Sequence, residues 1–241
     1  MRTTLSADEI RARLEAVQRR IAEAAQRAGR EPRTIRLVAV SKGHPAETIR
    51  AAHGCGLRAF GENRVEEALP KMTALADLDD IEWHLIGPLQ SRKVNLVGTG
   101  FALVHAVDRL KVARRLDGLA AGVGRPQAVL LECNVSGEAS KAGWLVDVES
   151  AWEPALDELR EVMRLRNLSV RGLMTMAPLG AEAGLQRETF GRLARLREFL
   201  SSRLACPLPE LSMGMTDDFE AAVEAGATLV RIGRAILGER M

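Results

Sequence analysis

Eight short apolar segments, each the length of one β-strand, recur along this chain and alternate with stretches of helical periodicity. Strands that alternate with helices predict parallel βαβ units. Eight such units in 241 residues are typical of a closed (β/α)8 TIM barrel. No linker divides the chain, so we expect a single domain over residues 1–241. The predicted strands are 35–40, 57–60, 81–86, 101–104, 127–134, 170–174, 210–212 and 228–232. Helices are predicted between them, among them one near 89–97 and one near 148–165.

A doubly wound open sheet is the alternative arrangement of the same units. Such a sheet is expected to carry a GxGxxG fingerprint after its first strand, but this chain reads SKGHP there. A further helix precedes the first strand, because Ser6 and Glu9 have the spacing of a capping box and apolar residues follow at helical intervals. The prediction is therefore a (β/α)8 barrel with an extra N-terminal helix.

Composition argues against several classes of partner and site. The formal net charge is +2 and no basic run is interleaved with aromatic residues, so we do not expect nucleic acid binding. No apolar run approaches the roughly 20 residues that span a bilayer. Cys55, Cys133 and Cys206 form no CxxC or Cys/His cluster, so neither a disulfide framework nor a metal site is predicted. Acidic residues in the arginine-rich N-terminal segment argue against a transit peptide, and we expect a cytoplasmic protein.

Lys42 lies two residues past the end of the first predicted strand. Of the 34 basic residues only five are lysine, so the choice of lysine at this position is notable. A buried lysine loses its proton readily and can attack a carbonyl group, whereas arginine stays protonated. The alternative is a solvated lysine at the end of a strand.

Polar residues and glycines collect after the predicted strands. In a (β/α)8 barrel the active site lies at the end where the carboxyl ends of the strands meet, which we call the mouth. We therefore expect these residues to lie near one another at the mouth: Lys42, Asn63, Gly87, His105, Asp108, Asn134, Lys141, Ser212, Gly214 and Gly233.

The two last loops have the features of a phosphate site. SMGMTDD and RIGRAILG each lead from a predicted strand into a helix, whose first turn offers free backbone N–H groups. Phosphate commonly binds after strands seven and eight of such barrels. Ser212 supplies a hydroxyl, and Gly233 permits a close approach of the backbone. The alternative is that Gly214 and Gly233 only form tight turns. A reactive lysine together with a phosphate site suggests pyridoxal phosphate, which carries both an aldehyde and a phosphate.

A resemblance supports this interpretation. The chain resembles the YggS/PROSC family of pyridoxal-phosphate-binding proteins in LVAVSK, FGEN, EWHLIGPLQSRK, VHAVDR, SKAG, RGLMTMAP, LSMGMTDDFEAAVEAGATLVRIG and AILGER. The resemblance implies the fold-type III barrel of the alanine racemase N-terminal domain. It also implies a role in pyridoxal phosphate homeostasis, with apo forms of pyridoxal-phosphate-dependent enzymes as candidate recipients of the cofactor.

The resemblance also implies roles for individual residues. Lys42 would hold the cofactor as a Schiff base, Arg231 would face the pyridine nitrogen and Asn63 would lie near the ring. The phosphate would contact the Ser212 side chain and backbone N–H groups in the last loop. The complete predicted cofactor-binding set is Lys42, Asn63, Ser212, Gly214, Arg231, Gly233 and Arg234, and no catalytic residue is assigned.

Three positions depart from the usual family pattern. His44 stands where the family often has a second lysine, Arg64 where it often has tyrosine, and Arg234 where it often has threonine. The last change removes a hydroxyl from the expected phosphate site and adds a cation.

Three functions compete at this point. The first is a non-catalytic carrier or regulator of pyridoxal phosphate, the second an amino-acid racemase or decarboxylase, and the third a phosphosugar enzyme without a cofactor. In the related racemases a tyrosine from a second domain supplies one of two bases, and we expect neither that tyrosine nor that domain here. Lys141 is ambiguous: a solvated loop lysine is the default, but its loop is expected at the mouth. His84, in a predicted strand, is expected to be a hydrogen-bonded core or pocket-lining residue.

Overall fold

Eight parallel strands close into a barrel in the computed structural model, which describes residues 5–98 and 100–240. Neighbouring strands follow chain order, and the pairings β4–β5 and β9–β1 complete the circle. A two-residue strand, β6, pairs with β5. The predicted (β/α)8 fold is therefore confirmed. The strands are β1 Arg36–Val40, β2 Ala59–Glu62, β3 Glu82–Leu85, β4 Leu103–Val107, β5 Gln127–Asn134, β6 Trp144–Leu145, β7 Leu168–Met174, β8 Glu210–Ser212 and β9 Leu229–Ile232.

Helices surround the barrel, and the predicted N-terminal helix is present. Ser6 and Glu9 form the capping box at its start. Arg20 and Arg27 of this helix form ion pairs of 2.6 and 2.7 Å with Glu220 and Glu224 on the helix that follows β8. The helices are α1 Ala7–Arg27, α2 Ala46–Gly54, α3 Val65–Ala74, α4 Leu110–Val123, α5 Trp152–Met163, α6 Ala183–Arg203, α7 Phe219–Glu224 and α8 Arg234–Leu237.

The helix predicted over residues 89–97 is wrong. The segment forms a 3₁₀ helix, Ser91–Leu96, without an α-helix. Gly98, which has a φ of 52°, follows almost at once, so the segment is too short for more than one or two turns. The beginning of the helix predicted from residue 148 is likewise a 3₁₀ turn, Glu149–Ala151, before α5 starts.

Two apolar clusters fill the molecule. The larger one lies between the strands and the surrounding helices. The smaller one includes Val38, Leu103, Leu130, Met174 and Leu229, which come from five different strands and fill the inside of the barrel. Branched and long apolar side chains inside the barrel make it a packed core, so any ligand site must lie beyond this layer. No helix in the described part of the chain is long and apolar enough to cross a membrane.

Two strands end later than the sequence indicated. β2 continues to Glu62, because it pairs along its length with β3, and β4 continues to Val107 because it pairs there with β5. As a result Glu62 and His105 lie inside strands. The shift moves both side chains from the expected loops into the barrel wall, where each is completely buried.

Candidate functional site

Lys42 lies at the mouth, two residues after the end of β1. Its side chain is half-buried, and within the described residues it makes no hydrogen bond or ion pair. Burial lowers the pKa of the Lys42 amine, and the positive charges of Arg240 and Arg231 lower it further. A larger fraction of neutral amine makes Lys42 a better nucleophile than an ordinary surface lysine.

A buried ion-pair network holds the loop that carries Lys42. The Lys71 amine donates hydrogen bonds to the Ser41 carbonyl oxygen at 3.0 Å, to Glu62 at 2.7 Å and to Glu67 at 2.8 Å. The backbone N–H of Gly43 donates to the same Glu67 oxygen at 2.5 Å. Hydrogen bonds to Lys71 and Glu67 of α3 therefore hold Ser41 and Gly43, the residues on either side of Lys42. We did not predict this network; the Glu67–Lys71 spacing of four on one helix was its only signal.

The cavity beside Lys42 has a volume of about 280 Å³. Lys42 shares it with Gly233 and Arg234, so the structure brings together the predicted lysine and the last predicted loop. His44, which replaces the usual second lysine, also lines it and is nearly buried. The remaining lining residues are Val40, Gly238, Glu239 and Arg240.

Two adjoining loops at the mouth carry backbone N–H groups without partners. In the described part of the chain, the N–H groups of Thr216, Asp217, Gly233 and Arg234 donate no hydrogen bond. The Thr216 hydroxyl is also unpaired there, and sequence reasoning missed it although it lies in the predicted phosphate loop. Arg234 donates to both carboxylate oxygens of Asp217, at 2.8 and 2.9 Å, and so joins the two loops. Free donors collected in this way suit an anion.

Gly214 has a structural reason to be glycine. Its φ is 90°, which side chains rarely adopt, and an added Cβ would lie 2.6 Å from the Cβ of Ala222 on α7. An added Cβ at Gly233 would lie 3.1 Å from the Val40 carbonyl oxygen of β1. The missing side chains thus let both loops pack closely against their neighbours.

Arg231 and Ser212 lie below the cavity, inside the barrel. Arg231 is 3% exposed and donates to the Ser212 hydroxyl oxygen at 2.6 Å and to the Thr175 carbonyl oxygen at 2.9 Å. Burial lowers the Arg231 pKa to about 10, while Asp218 and Glu132 oppose the shift, so the guanidinium remains protonated at neutral pH. Ser212 has no exposed surface.

The prediction that His105 lies in a loop at the mouth is wrong. His105 is an inward-facing residue of β4, and its Nδ1 lies 2.8 Å from Ser212 Oγ. Its Nε2 lies 2.8 Å from Nδ1 of His84. The prediction that His84 is a buried, hydrogen-bonded residue is confirmed.

A second cavity, of about 500 Å³, lies beside the first at the mouth. Asn63, Arg64 and Asp108 line it, so Asn63 lies over the ends of β2 and β3. Gly87 packs against Asn63, because an added Cβ would lie 2.3 Å from the Asn63 carbonyl oxygen. Lys93 and Arg109 add positive charge to the same wall.

Three buried carboxyl groups have an oxygen without a hydrogen-bond partner among the described residues, namely Glu62 of the Lys71 network, Glu132 and Asp108. The unpaired atoms of the last two are Glu132 Oε2 and Asp108 Oδ1. Burial, with Asp108 adding and Arg231 opposing, raises the pKa of Glu132 to about 7. Burial also raises the pKa of Asp108, against the effect of Arg109. We did not predict a role for Glu132, although an acidic residue within the apolar strand VLLECN was a visible signal.

Lys141 is not the solvated lysine that was the default expectation. Its amine donates to Ser136 Oγ at 3.0 Å and to the Met176 carbonyl oxygen at 2.9 Å, and it forms an ion pair with Glu138. These bonds tie the loop after β5 to the loop after β7. The next residue, Ala142, lines the second cavity.

Comparison with known proteins identifies the family. Residues 12–241 match the family model described as alanine racemase, N-terminal domain. The chain is 50% identical over 224 residues to the pyridoxal phosphate homeostasis protein of Pseudomonas aeruginosa, covering 93% of both chains. It is 41% identical over 236 residues to the protein of that name in Escherichia coli, covering 97% of both.

Solved structures agree with this result. PipY of Synechococcus elongatus with pyridoxal phosphate bound matches with a TM-score of 0.77 at 38% identity, covering 90% of this chain and 100% of that one. Alanine racemase of Clostridium difficile matches with a TM-score of 0.68 at 15% identity, covering 95% of this chain and 56% of that one, and shares the fold alone. This chain therefore belongs to the alanine racemase N-terminal domain family and, within it, to the YggS/PROSC family of pyridoxal phosphate homeostasis proteins.

Proposed function

We propose that this chain binds pyridoxal phosphate as a Schiff base on Lys42 and acts in pyridoxal phosphate homeostasis as a carrier or regulator. The observation that carries the proposal is the shared cavity at the mouth. A half-buried lysine with a lowered pKa and no partner lies there beside unpaired backbone N–H groups of Gly233 and Arg234. The names of the curated relatives and the ligand of PipY support the same function.

The residues present fit the functional groups of the cofactor. Bound pyridoxal phosphate supplies an aldehyde and an electron-poor ring. Lys42 would hold the aldehyde carbon through its neutral amine as a C=N bond, with the two amine protons and the aldehyde oxygen released as water. Gly233 and Arg234 hold the phosphate through backbone N–H groups, and Thr216 adds a hydroxyl. Gly214 holds the shape of the Thr216 loop.

Arg231 and Asn63 are assigned to the ring. Arg231 has donors only, so facing the pyridine nitrogen it donates to that atom and leaves it unprotonated. An unprotonated pyridine stabilises a carbanion poorly, which supports a carrier rather than an enzyme. Asn63 belongs to the neighbouring cavity and would limit the ring on that side.

Binding of added pyridoxal phosphate tests the proposal. Purified chain titrated with the cofactor is expected to show an absorbance band distinct from that of free pyridoxal phosphate, and the band is expected to be absent from Lys42→Ala. Lys93→Ala is the matched control, since Lys93 lines the adjacent cavity at the same end of the barrel. A wild-type chain whose spectrum with excess cofactor is only the sum of the spectra of chain and free cofactor would overturn the proposal and favour the phosphosugar enzyme.

Delivery to an apo enzyme tests the role in homeostasis. The loaded chain is mixed with an apo pyridoxal-phosphate-dependent enzyme while a phosphatase removes free cofactor. We expect the enzyme to gain activity faster than with the same amount of free cofactor. Equal or slower activation would contradict the role as a donor but would leave cofactor binding intact.

A further inference from the structure

A continuous row of polar side chains crosses the inside of the barrel from the mouth to the opposite end, which we call the floor. The row runs Arg231, Ser212, His105, His84, Glu82. Its hydrogen bonds are 2.6 Å from Arg231 to Ser212, 2.8 Å between Ser212 and His105 and 2.8 Å between the two histidines. The last contact, 3.7 Å from His84 Nε2 to Glu82 Oε2, is too long for a hydrogen bond, and Nε2 has no hydrogen-bond partner among the described residues. The two histidines and Ser212 are at most 1% exposed.

The floor end of the row opens into a cavity of about 210 Å³. Glu82 lies half-exposed on its wall and is paired with Arg36 at 3.4 Å. Arg36 also pairs with Glu210 at 3.6 Å, and Arg171 completes the charged lining. Solvent and solutes at the floor therefore reach the group at one end of the row, while the mouth cavity lies at the other.

Both histidines are neutral in this environment. Burial lowers the pKa of His84, and the nearby Glu82 carboxylate only partly opposes it. Burial lowers the pKa of His105 strongly, and the charges of Arg231 and Arg36 act in the same direction. A neutral imidazole carries one N–H donor and one acceptor nitrogen, so each ring passes a hydrogen bond in only one direction.

The floor end of the row decides that direction, because a Ser212 oxygen that accepts from Arg231 can still either donate to His105 or accept from it. Arg231 has only donors, so Ser212 Oγ accepts from it. At the floor, the Glu82 carboxylate is an acceptor and favours a proton on Nε2 of His84. His84 Nδ1 is then an acceptor, which requires the proton of His105 on Nε2. His105 Nδ1 in turn accepts the hydroxyl proton of Ser212.

We propose that His84 and His105 are positioning residues of the mouth site. They make the Ser212 hydroxyl donate its proton to His105 Nδ1, and so hold the Arg231 guanidinium in one orientation. All hydrogen bonds of the row then run from Arg231 toward Glu82. Ser212 acts through Arg231 and does not donate to the cofactor phosphate. The part of this inference that concerns the cofactor rests on the proposed function, but the direction of the hydrogen bonds does not.

Histidine tautomers measured without cofactor test the direction. In chain labelled with ¹⁵N-histidine at neutral pH, two-bond ¹H–¹⁵N correlations are expected to show His84 and His105 both neutral and protonated at Nε2. His84→Gln and His105→Gln assign the two signals. A proton on Nδ1 of His105 would overturn the inference, because Ser212 would then be free to donate to the phosphate. A charged ring at either position would also overturn it.

Cofactor affinity and absorbance test the positioning role. Ser212→Ala and His105→Gln are expected to weaken pyridoxal phosphate binding about tenfold and to shift the absorbance maximum. Ser212→Thr, which keeps the hydroxyl, should restore both. Leu103→Met is the matched control, since it lies on the same strand inside the barrel and nearly conserves volume.

Each outcome of these measurements decides a separate point. Unchanged affinity and absorbance in Ser212→Ala would overturn the positioning role. This variant removes a single oxygen atom, so its result can be interpreted even if His105→Gln does not fold. If wild-type chain binds no pyridoxal phosphate, the proposed function fails. The tautomers then still decide whether the row runs from Arg231 to Glu82.

Discussion

At the scale of single residues, the environment of Lys42 explains why lysine rather than arginine stands there. The sequence showed an infrequent lysine two residues after a buried strand, which was enough to single it out. It did not show that Arg240 and Arg231 would add to the effect of burial on the Lys42 pKa, because both come from the other end of the chain. Charged residues that are distant in the sequence and close together in the folded chain cannot be recognised from a sequence pattern.

Replacing Lys42 is expected to leave the fold intact. The charged amine is half-buried without a counter-ion, and its lowered pKa means that the native state does not favour the charge. Lys42→Ala should therefore change the free energy of unfolding by no more than about 0.5 kcal/mol. Urea denaturation at pH 7 measures this. A loss of unfolding free energy several times larger would mean that Lys42 stabilises the fold. A loss of cofactor binding in Lys42→Ala could then not be distinguished from a loss of folded protein.

Glu132 is expected to make stability depend on pH. Its native pKa of about 7 lies above its ordinary value of 4.5, so the native chain binds more protons than the unfolded chain between these values. Its stabilising contribution is full below the ordinary value and is lost as the pH rises through the native one, by on the order of 3 kcal/mol. Glu132→Gln stays neutral and should gain stability relative to wild type from pH 5 to pH 8.

Urea denaturation at several pH values checks the Glu132 prediction. Glu15→Gln on the exposed side of α1 is the control and should follow wild type. A constant difference between Glu132→Gln and wild type across this pH range would show that Glu132 is ionised in the native state throughout.

At the scale of helices and strands, periodicity predicted all eight barrel strands but not their ends. β2 and β4 each continue past the predicted end because a neighbouring strand pairs with the additional residues. Those residues include Glu62 and His105, which the apolar pattern assigned to loops. These polar side chains are tolerated inside the strands because Lys71 and Ser41 pair with one oxygen of Glu62. His105 has His84 and Ser212 as its partners. Such partners come from other elements of the fold.

The connection between α3 and β2 is expected to depend on Lys71. Lys71→Met leaves Glu62 buried without its cationic partner, which should cost about 3–5 kcal/mol of unfolding free energy near neutral pH. Lys93→Met breaks the ion pair with the solvent-exposed Glu66 and should cost much less, because water screens that pair. Protonation of the unpaired Glu62 should make the Lys71→Met loss smaller at pH 5 than at pH 8. Equal losses in the two variants would contradict a stabilising role for the buried network.

At the scale of the whole molecule, closure of the barrel assembles the site. Lys42 follows β1 and Arg231 lies on β9, at opposite ends of the sequence, and the pairing of these strands makes them neighbours. The count of eight units predicted this proximity. The row of side chains from Arg231 to Glu82 could not be predicted, because it depends on the register of β3, β4, β8 and β9 and on which side chains face inward.

The whole chain is expected not to racemise amino acids. Two-base racemisation needs a proton acceptor on each face of the planar intermediate. Lys42 supplies one, and the 241-residue sequence contains no tyrosine to supply the other. Loaded chain incubated with L- or D-alanine in deuterated water should keep its enantiomer ratio and incorporate no α-deuterium. Steady racemisation that disappears in Lys42→Ala would favour the enzyme over the carrier.

The most direct measurement of the central claim is the site of covalent attachment. The chain is mixed with pyridoxal phosphate and treated with borohydride, which adds hydride to the C=N bond and fixes the cofactor, and the modified peptide is identified by mass spectrometry. We expect one modified residue, Lys42, and no modification of the Lys42→Ala chain. A cofactor fixed on Lys141, or on Lys42→Ala to the same extent as on wild type, would contradict the claim.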